Sequence, residues 1–398
     1  MVFLKPIPVA LPEDRVPTKQ IAKDIVAFFL PKEWKSQDPE TISIIYSTSF
    51  TNPSCVVERP APFSSTPEEP LKLFIKFHDP SSSGIPAFQE LLPTKEDEAA
   101  LADKYYQSGL GAKVYGLFQT QDGTIGRIDE FLDSRHLEPE DVEEETLRAD
   151  VARGLATFHS MNVALPQKPI TLYYDALSTG LARYHNSAKL KGLARKGGVP
   201  LENLLEYDIV PRIHRVVAEL EAINAKTAWC IHDIQSMNIL VKKSSCQNYN
   251  NSHTLVKKQS QITLIDFEFV FRNYRAFDIG GHFMQKLFKW FDKENKIAKC
   301  RPYTEVEKKH FCKIYAAQWN VNQSDNSSVG EDEDTGEAVY REAELGYLLA
   351  ISFDLHNMLW YMDHVNDEDP LNLEGLNRLF ELFKEQYKGL GLEKPGGY

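Results

Sequence analysis

No stretch of this chain approaches the ~20 consecutive apolar residues that a spanning helix needs, so no membrane span is expected. Residues 1–12 are mildly apolar, but Lys5, Pro6 and Pro8 interrupt them too early for the apolar core of a secretory leader. Cysteine is sparse: Cys55, Cys230, Cys246, Cys300 and Cys312 are widely scattered, and none belongs to a CxxC pair. Zinc ligation and a disulfide framework therefore lack support, and reduced thiols in a cytoplasmic protein are expected. Positive charge is in deficit: 45 Lys and Arg against 57 Asp and Glu give a formal net charge of −12. A nucleic-acid binder normally carries a basic face, so no nucleic-acid partner is expected. A nucleotide needs only a local cationic or amide-lined cleft and stays compatible with this balance. Glycine is missing from residues 46–55, a gap that matters below.

What is present suits a sizeable core. Of the 398 residues, 42% are hydrophobic, room for one large two-lobed domain or two ordinary ones. Residues 41–46 and 71–77 are rich in β-branched and aromatic side chains and read as strands. The Pro- and Ser-rich residues 59–70 between them read as a loop. Residues 95–107 read as a helix that stops near Gly109, followed by strands at 114–118 and 126–131. From about residue 137 the pattern turns helical. Leu147, Val151, Leu155 and Phe158 share one helical face, as do Ile213, Val216, Val217, Leu220 and Ile223. Short apolar runs at 239–241 and 262–265 bracket a polar insert, and the acidic residues 321–338 read as a loop.

The densest chemistry lies in Ile231-His232-Asp233-Ile234-Gln235-Ser236-Met237-Asn238, taken with Ile265-Asp266-Phe267-Glu268. An Asp, an Asn five positions on, and a second Asp after an apolar strand make a phosphoryl-transfer layout. Asp233 is placed to orient a substrate hydroxyl and accept its proton. Asn238 and Asp266 supply hard oxygen ligands for Mg²⁺, which takes few protein carboxylates and completes its shell with phosphate and water. The bland alternatives are a turn-capping Asp233 and two strand-end polar residues facing water. Asp266 ends the run Ile-Thr-Leu-Ile, as a carboxylate displayed at the end of a buried strand should.

Lys76 lies in an otherwise apolar strand, either as an edge residue facing solvent or as a cation for ATP phosphates. Glu98, on the following helix, is its candidate partner. A phosphate loop is expected in residues 46–55. Without glycine its backbone cannot approach phosphate as closely, and Ser47, Thr48, Ser49, Thr51 and Asn52 would donate from side chains instead.

The stretch from Leu264 to Phe283, with Asp-Phe-Glu followed by Asn273-Tyr274-Arg275-Ala276-Phe277-Asp278-Ile279-Gly280-Gly281-His282-Phe283, resembles the choline/ethanolamine kinase family. Residues 110–116, 130–135, 156–161 and 230–240 resemble the same family in the same order, and the resemblance covers roughly residues 40 to 385. It implies an α+β, two-lobed protein-kinase-like fold: a small β-rich N-lobe over residues 1–131 for the nucleotide, and a larger, mostly helical C-lobe over 132–398 for catalysis and the acceptor. It further implies ATP and Mg²⁺ as cofactors, choline as acceptor with ethanolamine as the alternative, the first step of phosphatidylcholine synthesis, and a homodimer.

Position by position, Asp233 matches the family's base, Asn238 and Asp266 its metal ligands, Lys76 a basic nucleotide-site residue, and Glu98 its helix partner. Gln235 matches an acceptor-site Gln, and Trp290 and Trp360 stand where walls of an aromatic cage are expected. A quaternary ammonium has no N–H to donate and is held by such cation–π contacts and nearby carboxylates. Ordinary core packing is the plain alternative for both tryptophans. The chain also departs from the family. The His before the catalytic turn is Ile231, the phosphate-loop Gly-Gly is Thr48-Ser49, an acceptor-site Glu is Gln285, and a cage Trp is Asn357. Cage tyrosines are replaced within residues 371–374. These departures leave a second reading open: a catalytically weak relative acting as a binding or regulatory protein.

Overall fold

The computed structural model describes residues 2–47, 53–61, 68–78, 86–243, 260–324, 333–365 and 369–393. The chain divides into two compact units, residues 1–84 with 93–134, and residues 85–92 with 135–398.

The first unit is built on a six-stranded sheet in the order β1-β5-β6-β4-β3-β2. Its strands are β1 (Leu4–Pro6), β2 (Ser43–Ser47), β3 (Ser54–Glu58), β4 (Lys72–His78), β5 (Val114–Gln119) and β6 (Ile125–Glu130). Helices α1 (Lys19–Phe29) and α2 (Lys95–Gln107) complete it. Alternation along β4 decides what each face does. Leu73, Ile75 and Phe77 join Ala22, Ile25 and Val26 of α1 in a fully buried apolar core. Lys76 points to the opposite face. It is not an edge residue, because β4 pairs with β3 on one side and with β6 on the other. Helix α2 starts at 95 because Thr94 and Asp97 form a reciprocal capping box with each other's backbone. Strand β3 begins at the end of the expected phosphate loop, residues 46–55, and stops before the Pro/Ser-rich residues 59–70. Cys55, Val56 and Val57 are too short an apolar run to stand out, and they gain strand structure by pairing on both sides.

The second unit is mostly helical. Its elements are β7 (Ser134–His136), α3 (Glu145–His159), α4 (Ile170–Tyr184), α5 (Ala188–Gly197), α6 (Leu201–Glu206), α7 (Ile209–Ala222) and β8 (Thr227–Cys230). There follow β9 (Ile239–Lys242), β10 (Ile262–Leu264), β11 (Phe271–Tyr274), α8 (Ala276–Gln285), α9 (Glu305–Ser324), α10 (Gly336–Val365) and α11 (Pro370–Gly389). Strands β10, β9 and β7 form one small sheet, and β11 pairs with β8. The apolar face expected over 147–158 is buried. On α7, Ile213, Val216 and Leu220 are buried, but Ile223 lies past the helix end and is 40% exposed. At the two ends of the expected acidic loop, residues 321–324 belong to α9 and residues 336–338 to α10.

Helices α8 and α10 touch backbone to backbone. A Cβ on Gly346 would lie 1.8 Å from the Ala276 carbonyl oxygen, and one on Gly280 would lie 2.1 Å from the Tyr347 nitrogen. Only glycine permits that approach. The two helices run side by side in the same sense, with Ala276 against Gly346 at one end and Gln285 bonded to Asp354 at the other. Gly346→Ala is expected to push them apart. It should lower unfolding stability by about 1–3 kcal/mol or more, the usual cost of overpacking, as read by urea unfolding.

Candidate active site

The turn after β8 carries the candidate base. His232 has φ +63, a left-handed conformation costing a non-glycine residue on the order of 1–3 kcal/mol. The surroundings hold it there. Asp278, on α8, is fully buried and accepts the backbone N–H groups of Ile231 at 2.6 Å and His232 at 2.9 Å. It also bonds His159 Nε2 at 2.8 Å, and His159 Nδ1 meets the Tyr315 hydroxyl at 2.8 Å. Burial alone would raise the Asp278 carboxyl, but His159 and these N–H donors outweigh it and hold the group below its usual range. The His232 ring stacks on Phe271 at 3.5 Å. Its Nε2 accepts from the Asn273 amide at 2.9 Å, so Nδ1 carries the proton and donates to the carbonyls of Cys230 and Phe269.

With the turn fixed, Asp233 is oriented by two amides. Gln235 Nε2 donates to both carboxylate oxygens, at 2.9 and 3.1 Å. Asn238 Nδ2 donates to Asp233 Oδ2 at 2.9 Å and to its main-chain carbonyl at 2.8 Å. The Asn238 side-chain oxygen therefore points away from Asp233. The β9–β10 hairpin brings the second carboxylate alongside: Ile239 pairs with Leu264, and the Ile265 N–H donates to the Asn238 carbonyl at 3.0 Å. Asp266 follows at once with φ +64, a second left-handed residue where the chain leaves the strand. Asp233, Asn238 and Asp266 are thus stitched together by backbone pairing and one amide. The oxygens of Asn238 and Asp266 are the hard donor set that suits Mg²⁺. A second polar cluster, His159, Cys230 and Asp278, has metal-like spacing but is otherwise engaged. Burial pushes the Cys230 thiol well up, it donates to main-chain carbonyls, and both His159 nitrogens are bonded within the protein.

Gln285, the last residue of α8, connects two more side chains. Trp290 Nε1 donates to Gln285 Oε1 at 3.0 Å, and Gln285 Nε2 donates to Asp354 Oδ2 at 2.7 Å. The Trp290 ring stacks on Phe288 at 4.5 Å and rests against Gly375 of α11. Trp360 lies apart from this chain of bonds. It stacks on His364 of its own helix at 4.8 Å. At about 100° per residue the two positions are roughly 120° apart round α10.

In the first unit Glu98 is almost completely buried. Lys95 Nζ lies 2.9 Å from one of its oxygens and Arg127 Nη1 3.2 Å from the other. Arg127 is the cross-strand partner of Lys76, so both cations rise from the same face of the sheet. Burial raises the Glu98 carboxyl, but Lys76, Lys95 and Arg127 together overcome it and hold the group far below its usual range. Lys76 thus lies near enough to Glu98 for their charges to attract, while the ion pairs of Glu98 are with Lys95 and Arg127. Ser49 and Asn52, with residues 48, 50 and 51 of the expected phosphate loop, lie outside the described residues.

Sequence reasoning missed three participants. Asp278 stands inside the family-like run and could have been assigned a role by its burial in an apolar helix start. Asp354 carried a signal too, a lone carboxylate within the apolar residues 348–355. Arg127 gave none.

Two consequences follow from the turn. Asp278→Asn leaves fewer acceptor sites for the N–H donors that converge there and places an amide among donors. A loss of about 1–3 kcal/mol in urea unfolding is expected, with turnover reduced at least tenfold. His232 is held neutral because burial lowers its pKa to about 4, from an ordinary value near 6.5. Between those values the unfolded chain binds a proton that the folded chain does not. Stability is therefore complete above pH ~6.5 and falls as pH drops towards 4, by up to about 1.4 kcal/mol per pH unit for this group. His78, His282 and His356 are lowered in the same way, to about 3, about 3 and about 4. In His232→Asn, urea unfolding at pH 7, 5.5 and 4.5 should lose one histidine's share of the slope; an unchanged slope would contradict the assignment.

Known proteins resemble this chain in sequence and in fold. Residues 71–363 match the family described as choline/ethanolamine kinase. A human choline/ethanolamine kinase is 27% identical over 76% of this chain and 71% of its own length. A probable ethanolamine kinase of Arabidopsis thaliana is 26% identical over 72% and 66%. The crystal structure of choline kinase from Cryptosporidium parvum superposes with a TM-score of 0.63 at 15% identity, covering 94% of this chain and 97% of that one. That likeness shows the fold, the α+β protein-kinase-like fold expected from the sequence. With the match spanning most of its length, this chain belongs to the choline/ethanolamine kinase family.

Proposed function

We propose that the protein is an ATP-dependent phosphotransferase acting on the hydroxyl of a small cationic amino alcohol, choline or ethanolamine. Such a reaction would open the synthesis of the corresponding phospholipid from its free base. The observation that carries the reading is the stitching of Asp233, Asn238 and Asp266 into one group by the Asn238 amide and the β9–β10 pairing. Asp233, gripped by Gln235 and Asn238, orients the acceptor hydroxyl and takes its proton as the oxygen bonds to the γ-phosphorus and the bond to ADP breaks. Asn238 and Asp266 would hold Mg²⁺, which when bound neutralises charge on the β- and γ-phosphates. Lys76 and Arg127 supply positive charge for the nucleotide in the first unit, with Glu98 holding Arg127 and attracting Lys76.

Ile231, where the family has His, gives little support to an inactive relative. Its side chain is fully buried, and its contribution to the turn is the backbone N–H held by Asp278. Electrostatic and general-base groups of this kind each contribute orders of magnitude to rate. Asp233→Asn and Asp266→Asn are expected to cut kcat by at least ~10²-fold with unfolding midpoints close to wild type. The assay is direct detection of phosphorylated acceptor from Mg-ATP. Normal turnover in Asp266→Ala would overturn the assignment.

A further inference from the structure

The half of the site that takes the acceptor contains a carboxylate with no assigned role. Asp354 sits on α10 and is partly buried. Its neighbourhood can be ordered atom by atom. An indole N–H can only donate, so the Trp290 contact fixes the Gln285 amide with Oε1 towards the ring and Nε2 towards Asp354. Asp354 Oδ2 therefore accepts, at 2.7 Å. No basic side chain pairs with Asp354, and no hydrogen bond reaches its other oxygen, among the described residues. The base Asp233 is near enough for the two negative charges to interact, and this repulsion adds to burial in pushing the Asp354 carboxyl well up. A partly buried anion beside another anion is costly unless a cation joins it. The glycine contact of α8 with α10 holds Asp354 against Gln285, so the arrangement is built into the helix packing.

The surroundings also bear on which cation fits. A quaternary ammonium relies on aromatic walls, and these are thin here. Trp290 is engaged by Phe288 and Gln285, Trp360 stacks on His364 of its own helix, and position 357, a cage Trp in the family, is Asn. A primary or secondary ammonium instead offers N–H donors, which an available carboxylate oxygen binds by charge-assisted hydrogen bonds.

We propose that Asp354, oriented by Gln285 and Trp290, is the acceptor-binding residue that receives the ammonium of the amino alcohol and selects acceptors bearing N–H over quaternary ones. The inference rests on the phosphotransferase reading and names the acceptor class for that site.

The test uses the full chain with Mg-ATP and the series ethanolamine, N-methylethanolamine, N,N-dimethylethanolamine and choline. Turnover is followed by product detection, and binding of each acceptor is followed by calorimetry. Wild type should show its lowest KM and tightest binding for ethanolamine, with choline at least tenfold weaker. Asp354→Asn, of the same shape, should raise the KM for ethanolamine at least tenfold, leave the KM for ATP unchanged, and bring the ethanolamine-to-choline ratio close to one. Choline bound as well as or better than ethanolamine by wild type overturns the proposal, whether or not the variant folds. So does an unchanged ratio in a folded Asp354→Asn. If no acceptor is phosphorylated, the phosphotransferase reading fails while the calorimetry still decides: ethanolamine binding lost in Asp354→Asn supports Asp354 as the ammonium site, and equal binding overturns it.

Discussion

One buried carboxylate sets the geometry of the second unit. Asp278 gathers the N–H groups of Ile231 and His232 and the imidazole of His159 around two oxygens sealed from solvent. Charge-assisted hydrogen bonds of this kind are individually worth about 1.5–3 kcal/mol, enough to offset the left-handed His232 they help to hold. The turn they fix aims Asp233 at its neighbours. The His232 side chain closes the arrangement from below, bonded to two carbonyls and to Asn273 and stacked on Phe271. Every member of the cluster is neutral or paired, which is why so much polarity can be buried without an unsatisfied charge.

The helix that supplies Asp278 also supplies Gln285 at its other end. Its close crossing with α10, through Gly280 and Gly346, then determines where Asp354 lies. Helix α8 thereby carries at its two ends the carboxylate that holds the Asp233 turn and the amide bonded to Asp354. In the first unit the logic differs. There the pleat of the sheet sends Lys76 and Arg127 to one face, and the buried Glu98 ties Arg127 to Lys95. Neither cation has to be near the other in sequence for the sheet to make them neighbours.

Much of this was legible beforehand where chemistry and spacing are local. Helix 95–107 carries its capping box in the sequence, and Asp233, Asn238 and Asp266 fall within one turn and one hairpin. Strand β3 was not legible, because Cys55-Val56-Val57 is a brief apolar run that becomes a strand only between two partners. Ile223 continued a helical face by periodicity, yet the helix ends before it and leaves it exposed. Asp354 depends on a pairing across 69 residues, to Gln285, and Arg127 reaches Glu98 across 29 residues while its Nε is held by the nearby Asp129; no local pattern reports the long-range partners. Trp360 stacks on His364 one helical turn on, a contact its place in the chain did not announce.

The dependence of the catalytic turn on Asp278 is tested most directly by native-state hydrogen exchange at the main-chain amides of Ile231 and His232. If these amides are locked on the buried carboxylate, they exchange only through global unfolding, with protection that tracks the full unfolding free energy. Exchange of either amide at the rate of an exposed loop would contradict the account, since nothing would then hold Asp233 in place.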